Sequence, residues 1–342
     1  MGRSWVEACL LSLWGLANRV PSTIGHLPSG SGARSHKCRA RSHAAPRTVP
    51  AALRGDTGNA PPLFRAPLPA SSMPADSAAA STPHASSGRG EASPALLRPA
   101  VFEQAEGLVA GFSTRAGGVS EGAYRSLNLG LSTDDAATRV SENRRRLGAA
   151  TGFAPERWVV PRQVHGDRLL RATEPGVVRG YDGLVTDRTG LLLCISAADC
   201  AAVLLADAKA GVVGACHSGW RGTVKQISEK TVAEMDALGA RPGQTRAYVS
   251  PCISAEHFEV GDEVATQFAE RFVRRPADAP GLEKPHVDLK AAIASQLREA
   301  GVPEAQIEVS PRCTVGEPEV LFSHRASGGT TGRMMGFIGF EA

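Results

Sequence analysis

From residue 101 to the C-terminus, hydrophobic and polar positions fall into short segments of two kinds. Residues 108–114 read as a strand, followed by the turn-rich AGGVSEGAYRS. Thr133 or Asp134 then suits the cap of a helix that carries Val140, Arg144 and Leu147 along one side. Four apolar runs crowd together at 158–164, 191–197, 201–206 and 211–216, predicting buried strands of one compact sheet system. Val224, Ile227, Thr231, Met235 and Leu238 recur at spacings of three and four, predicting one helix that Gly239 closes. A strand at 246–250, helical patterns at 260–272 and 287–300, and an apolar strand at 334–340 complete the series. With no repeats and no regular βαβ alternation, the expected fold class is α+β: a single compact domain with mixed β-sheets packed against flanking helices.

Composition divides the 342 residues near Arg98. Residues 1–98 hold 11 Lys/Arg against 4 Asp/Glu and 11 of the 23 prolines, whereas 99–342 hold 27 basic and 30 acidic residues. The basic balance belongs to the leader, so the body gives no electrostatic reason to expect nucleic acid. The leader is too poor in clustered apolar residues to offset chain ordering and reads as disordered. Its Arg/Ser-rich, acid-poor character resembles an organellar transit peptide, and the apolar residues 8–17 resemble a short signal core. Translation starting at Met73 or later is the plainer origin. No run of about 18 apolar residues suggests a membrane span. Seven scattered cysteines do not form a secreted disulfide framework, which favours a cytoplasmic location, or an organellar one if the leader is a true transit peptide.

The body contains five histidines: His165, His217, His257, His286 and His324. Two stand beside glycine at expected strand ends, in QVHG and HSGWRG, and Cys200 ends AADC between them. If neighbouring strand ends bring His165, Cys200 and His217 together, two imidazoles and a thiolate suit Zn²⁺ with one open position. The plainer reading makes each histidine a hydrogen-bonded structural residue and the cysteine an inert core group. HSGWRG also leads into the expected helix, whose N-terminus, with Arg221, would favour an anion. Arg115 in FSTR is a second candidate clamp for anionic substrate. Glycines needed only for a tight turn, and arginines paired with surface or strand-end carboxylates, would give the same sequence. Cys194 and Cys216 read as core residues, while Cys252 and Cys313 fall in loops near the presumed pocket.

The run GFSTRAGGVSEGAYRSLNLG, then QVHG, YDGLVT, AADC, HSGWRG, PCIS, FEVG and CTVGEPEVLFSHRASGGTTGRMMGFI, resembles the YfiH family across residues 101–340. This family is also called the laccase-domain or polyphenol oxidase family. The resemblance implies metal ligands at His165, Cys200 and His217, with Zn²⁺ as cofactor and Cu²⁺ as the less expected native metal. It further implies a purine nucleoside enzyme that uses phosphate to release ribose 1-phosphate from adenosine, inosine, guanosine or methylthioadenosine, and water to deaminate adenosine. Ser218, Ala202, Phe258, Ser250 and Ser254 depart from the usual family residues without removing a ligand. Three other activities remain open: a peptidoglycan-precursor editing hydrolase, a metal-free hydrolase with Cys200 as nucleophile, and a copper-dependent polyphenol oxidase. The last conflicts with the five body histidines and their lack of a His-x-His pair. Small molecules, rather than nucleic acid or membrane, are the expected partners.

Overall fold

The computed structural model describes residues 93–277 and 281–342. The expected disordered leader lies almost wholly outside these residues, as do Cys9 and Cys38. Just ahead of Pro99, β1 (Leu96–Leu97) pairs antiparallel with β2 (Leu108–Ser113). Helix α1 (Ala137–Thr151) precedes β3 (Trp158–Arg162), β4 (Leu169–Arg171), β5 (Gly176–Arg179), β6 (Gly183–Thr186) and β7 (Leu192–Ala197). Next come β8 (Ala201–Asp207), β9 (Val212–Ser218), α2 (Trp220–Val224), α3 (Ile227–Asp236) and β10 (Arg246–Val249). The chain ends with α4 (Asp262–Ala265), β11 (Val273–Arg274), β12 (His286–Val287), α5 (Leu289–Glu299), β13 (Ile307–Val309) and β14 (Met334–Phe340).

Most strands form two six-stranded mixed sheets, in the orders β1-β2-β14-β7-β3-β5 and β13-β10-β8-β9-β6-β4. The four central apolar runs therefore divide between two sheets instead of entering one. The division falls at residues 198–200, where the chain passes from β7 to β8 and Asp199 adopts φ 90°.

Side-chain alternation explains the layers. On β8, Ala202, Leu204 and Ala206 join Phe112, Leu193, Ile195 and Ile338 between the sheets. Ala201, Val203 and Leu205 face the opposite way, into a cluster with Ile227 and Met235 of α3 and Ile293 and Leu297 of α5. Beyond the first sheet, Leu192, Cys194 and Phe337 pack with Leu147 of α1 and Trp158. The result is a helix–sheet–sheet–helix sandwich.

Several local expectations change. Neither Thr133 nor Asp134 caps α1; its N-cap is Ala136, with no side-chain cap. Thr133 and the neighbouring Asp135 instead accept the Asn128 amide N–H groups, each at 2.9 Å, bracing the preceding loop. The expected helix across 224–238 breaks at Gln226, whose φ is 60°. There the Thr223 carbonyl accepts from Gln226 N–H at 2.9 Å and from the Gln296 amide at 2.6 Å, ending α2. The 260–272 pattern yields only α4 and a short 3₁₀ turn at Glu270–Phe272. Val260, Val264 and Phe268 still reach the core, so their period is satisfied by turns without a continuous helix.

Candidate metal centre

The three candidate ligands come from different strand ends at one end of the sandwich. His165 follows β3 of the first sheet, Cys200 immediately precedes β8, and His217 lies on β9 opposite Ala202. Their ligand atoms all lie within 4.8 Å of one another. Donors on one tetrahedral zinc sit about 3.3–3.8 Å apart for bonds of about 2.0–2.3 Å. A small inward turn of the rings therefore brings this set within bonding range. The rings already meet edge to face, with centroids 4.8 Å apart and planes at 78°. His165 is exposed, Cys200 half-buried and His217 buried, giving the site one solvent side.

Asp182, from YDGLVT, holds two of these ligands in place. Its fully buried carboxylate accepts the backbone N–H groups of Val164, His165 and Gly166 at 3.0, 2.9 and 2.8 Å. This fan of bonds fixes the turn on which His165 takes φ 58°. The same carboxylate lies 3.0 Å from His217 Nδ1, while the Asp182 carbonyl accepts His217 N–H at 2.7 Å. A proton on His217 Nδ1 leaves Nε2 for the ligand set, the arrangement in which an outer carboxylate orients and strengthens a metal-binding imidazole. Sequence reasoning assigned Asp182 no role. The available signal was an acidic residue directly ahead of a short, wholly buried strand.

Electrostatics favour a thiolate. Burial alone would push the Cys200 thiol up, but the His217 charge and hydrogen bonds from both imidazoles draw it down to about 6. His217 moves upward: burial opposes its charge, and the Cys200 thiolate and Asp182 carboxylate overcome that opposition. Burial likewise works against the Asp182 carboxylate, yet bonding to His217 and to the backbone of Gly166 and Val164 leaves it lowered. The buried thiols of Cys194 and Cys216 are instead raised, to about 12 and about 11, as groups shielded in an apolar core should be.

The glycine in HSGWRG now has a specific reason. A Cβ at Gly219 would lie 2.5 Å from Cys200 Sγ, although its φ of −81° and ψ of 178° are open to alanine. Gly219→Ala is therefore expected to keep the fold but move the thiolate, weakening zinc binding about 10–100-fold. Zinc titration against a competing chelator checks this, and unchanged affinity would reject the close approach as functionally important.

The ligands open into a cavity of about 380 Å³ whose walls include Trp220, Ile253, Phe258, Leu289, Gln163 and Arg333. Neither arginine selected from the sequence lies on this wall. Arg221 is exposed and stacks over Trp220 at 4.4 Å, on a helix of only five residues. Arg115 donates through Nε to the Arg125 carbonyl at 2.8 Å and through Nη1 to the Pro318 carbonyl, with its guanidinium over Phe322. Those bonds tie loops together. Asp199 also serves an unforeseen role: it accepts Thr314 O–H at 2.6 Å and Arg325 N–H at 2.7 Å, fastening two later loops beside Cys200.

Residues 109–341 match the family model described as multi-copper polyphenol oxidoreductase laccase. The chain belongs to this family, whose solved members include proteins called YfiH and YlmD. It is 45% identical over 229 residues to a purine nucleoside phosphorylase of Deinococcus radiodurans, covering 67% of this chain and 87% of that protein. It is 38% identical over 253 residues to purine nucleoside phosphorylase YlmD of Geobacillus stearothermophilus, covering 68% and 90%. The YlmD crystal structure matches with a TM-score of 0.65 over 70% of this chain and 93% of the other. Bacillus licheniformis YfiH matches with a TM-score of 0.64 at 33% identity, covering 68% and 93%. The family description does not fit the donors found here: among the described residues, His165, Cys200 and His217 form the one group of three capable of holding a metal. Among the described residues, no helix is long and apolar enough to cross a membrane.

Proposed function

We propose that this protein is a zinc-dependent purine nucleoside phosphorylase. It splits adenosine, inosine or guanosine with phosphate into the base and ribose 1-phosphate, splits methylthioadenosine into adenine and 5-methylthioribose 1-phosphate, and deaminates adenosine with water to inosine and ammonia. The observation that carries this reading is the convergence of His165, Cys200 and His217 on a cavity of small-molecule size. The relatives named purine nucleoside phosphorylase support the substrate class.

When bound, the metal supplies Lewis acidity and can lower the pKa of a water to about 7. The chain supplies placement. Asp182 keeps the proton on His217 Nδ1, so Nε2 faces the ligand set. Trp220, Phe258, Ile253 and Leu289 give the purine an apolar wall and exclude water from one side of the reacting sugar. Positioning by these walls converts the encounter of nucleoside and second reactant into a local event.

The test is a product assay on purified protein of measured metal content. Adenosine with phosphate should give adenine and ribose 1-phosphate, while adenosine without phosphate should give inosine. Inosine alone under both conditions would reject phosphorolysis. Full activity in metal-free protein would instead make Cys200 a nucleophile.

A further inference from the structure

We propose that Arg333 is the phosphate-binding residue of the metal cavity. This rests on the phosphorolysis reading for its biological meaning, but its physical basis is the cavity wall itself. Three arginines line that wall: Arg162, Arg325 and Arg333. Arg162 is exposed at the end of β3. Arg325 is committed to backbone carbonyls, Nη1 to His257 at 3.3 Å and Nη2 to Glu259 at 3.1 Å.

Arg333 is held differently. Its backbone N–H donates to Asn128 Oδ1 at 2.9 Å, and its carbonyl accepts Leu129 N–H at 3.0 Å. Its stem runs against Gly130, where a Cβ would come 2.7 Å from Arg333 Cγ. Nη1 donates to the carbonyls of Thr331 and Gly332 at 2.8 and 3.1 Å. The N–H groups of Nε and Nη2 have no acceptor among the described residues, and neither nitrogen is sealed from solvent. The side chain is thus half-buried, fixed at its stem and one nitrogen, and uncommitted to protein acceptors on its remaining, solvent-accessible side.

Register brings that side to the reacting centre. Met334 pairs with Ala197, so Arg333 falls beside the residues that lead directly into Asp199 and Cys200. Burial pulls Arg333 downward while the charges of Asp199 and Cys200 support it, which places the guanidinium within electrostatic reach of the ligand set. A half-desolvated guanidinium with free N–H groups gains most from a compact oxyanion. The planar fork matches two phosphate oxygens, which a lysine ammonium cannot do. Phosphate seated there shares one cavity with the metal ligands and the apolar purine wall, so the attacking oxygen and the sugar can be brought together without a helix N-terminus.

The experiment measures binding of inorganic phosphate to the metal-loaded full chain by calorimetry, together with separate KM values for phosphate and inosine. Arg333→Met and the milder Arg333→Lys should each weaken phosphate binding, by about 10–100-fold for Met. KM for inosine, metal content and Tm should stay near wild type. Arg221→Met should leave phosphate binding unchanged. Should Arg333→Met fail to fold, Arg333→Lys decides through the phosphate KM alone. Unaltered phosphate affinity in both variants, or no phosphate binding by wild type, overturns the assignment. Arg333-dependent phosphate binding without nucleoside cleavage would uphold it while rejecting phosphorolysis.

Discussion

Removing any one of the three ligands is expected to empty the metal centre: His165→Ala, Cys200→Ala and His217→Ala should each fall far below the metal content of the unmutated protein, zinc on the reading proposed above. Two remaining donors within a set that spans 4.8 Å cannot complete the closed side of a tetrahedral site. The accompanying loss of charge stabilisation is several kcal/mol, so kcat/KM for nucleosides should drop about a thousandfold or more. Mass-spectrometric metal analysis and steady-state kinetics on the same preparations check both parts. His165 discriminates best, because it is exposed and its removal leaves the core intact. A His165→Ala protein with wild-type zinc and activity would remove the metal centre from the mechanism.

Asp182→Ala should produce the second large effect, this time on stability as well as metal binding. The substitution leaves His217 Nδ1 and three backbone N–H groups without their shared acceptor at a fully buried position. Orphaning a buried, charge-assisted network of this kind costs about 3–5 kcal/mol. For a folded body of this size, Tm should fall by about 10 °C. Asp182→Asn separates the roles. It preserves volume, but its amide NH₂ faces N–H donors on one side, so zinc affinity should weaken about 10–100-fold with a smaller loss of Tm. Thermal unfolding and zinc competition report the two effects separately. If Asp182→Asn alters neither, the carboxylate is not what orients His217.

The contrast between Asp182 and the two sequence-selected arginines shows how far local patterns carry. Asp182 has a short apolar strand after it and no chemically distinctive neighbour in sequence; its meaning comes from backbone groups 16–18 residues away and a histidine 35 residues away. Arg115 and Arg221 occupy conspicuous motifs, but their guanidiniums are turned to backbone carbonyls or an indole face. A glycine turn entering a helix looks the same in sequence whether the following arginine points into a cavity or out of it. Arg333 was overlooked because its role depends on strand register: β14 must pair with β7 before TTGRM reaches the neighbourhood of AADC.

Sequence by itself pointed to the mixed α+β class, to seven of the fourteen strands among the described residues and to the three side chains able to share a metal. These features follow from side-chain periodicity, turn chemistry and donor type, which are written locally along the chain, and from several separated motifs that agree with one family. Only the tertiary structure decided that the apolar runs divide between two sheets, that Asp182 supports the ligands and that Arg333 rather than Arg115 or Arg221 faces their cavity. Those outcomes depend on which strand ends become neighbours and which guanidinium N–H groups the fold leaves uncommitted. Both are set by packing across long stretches of chain.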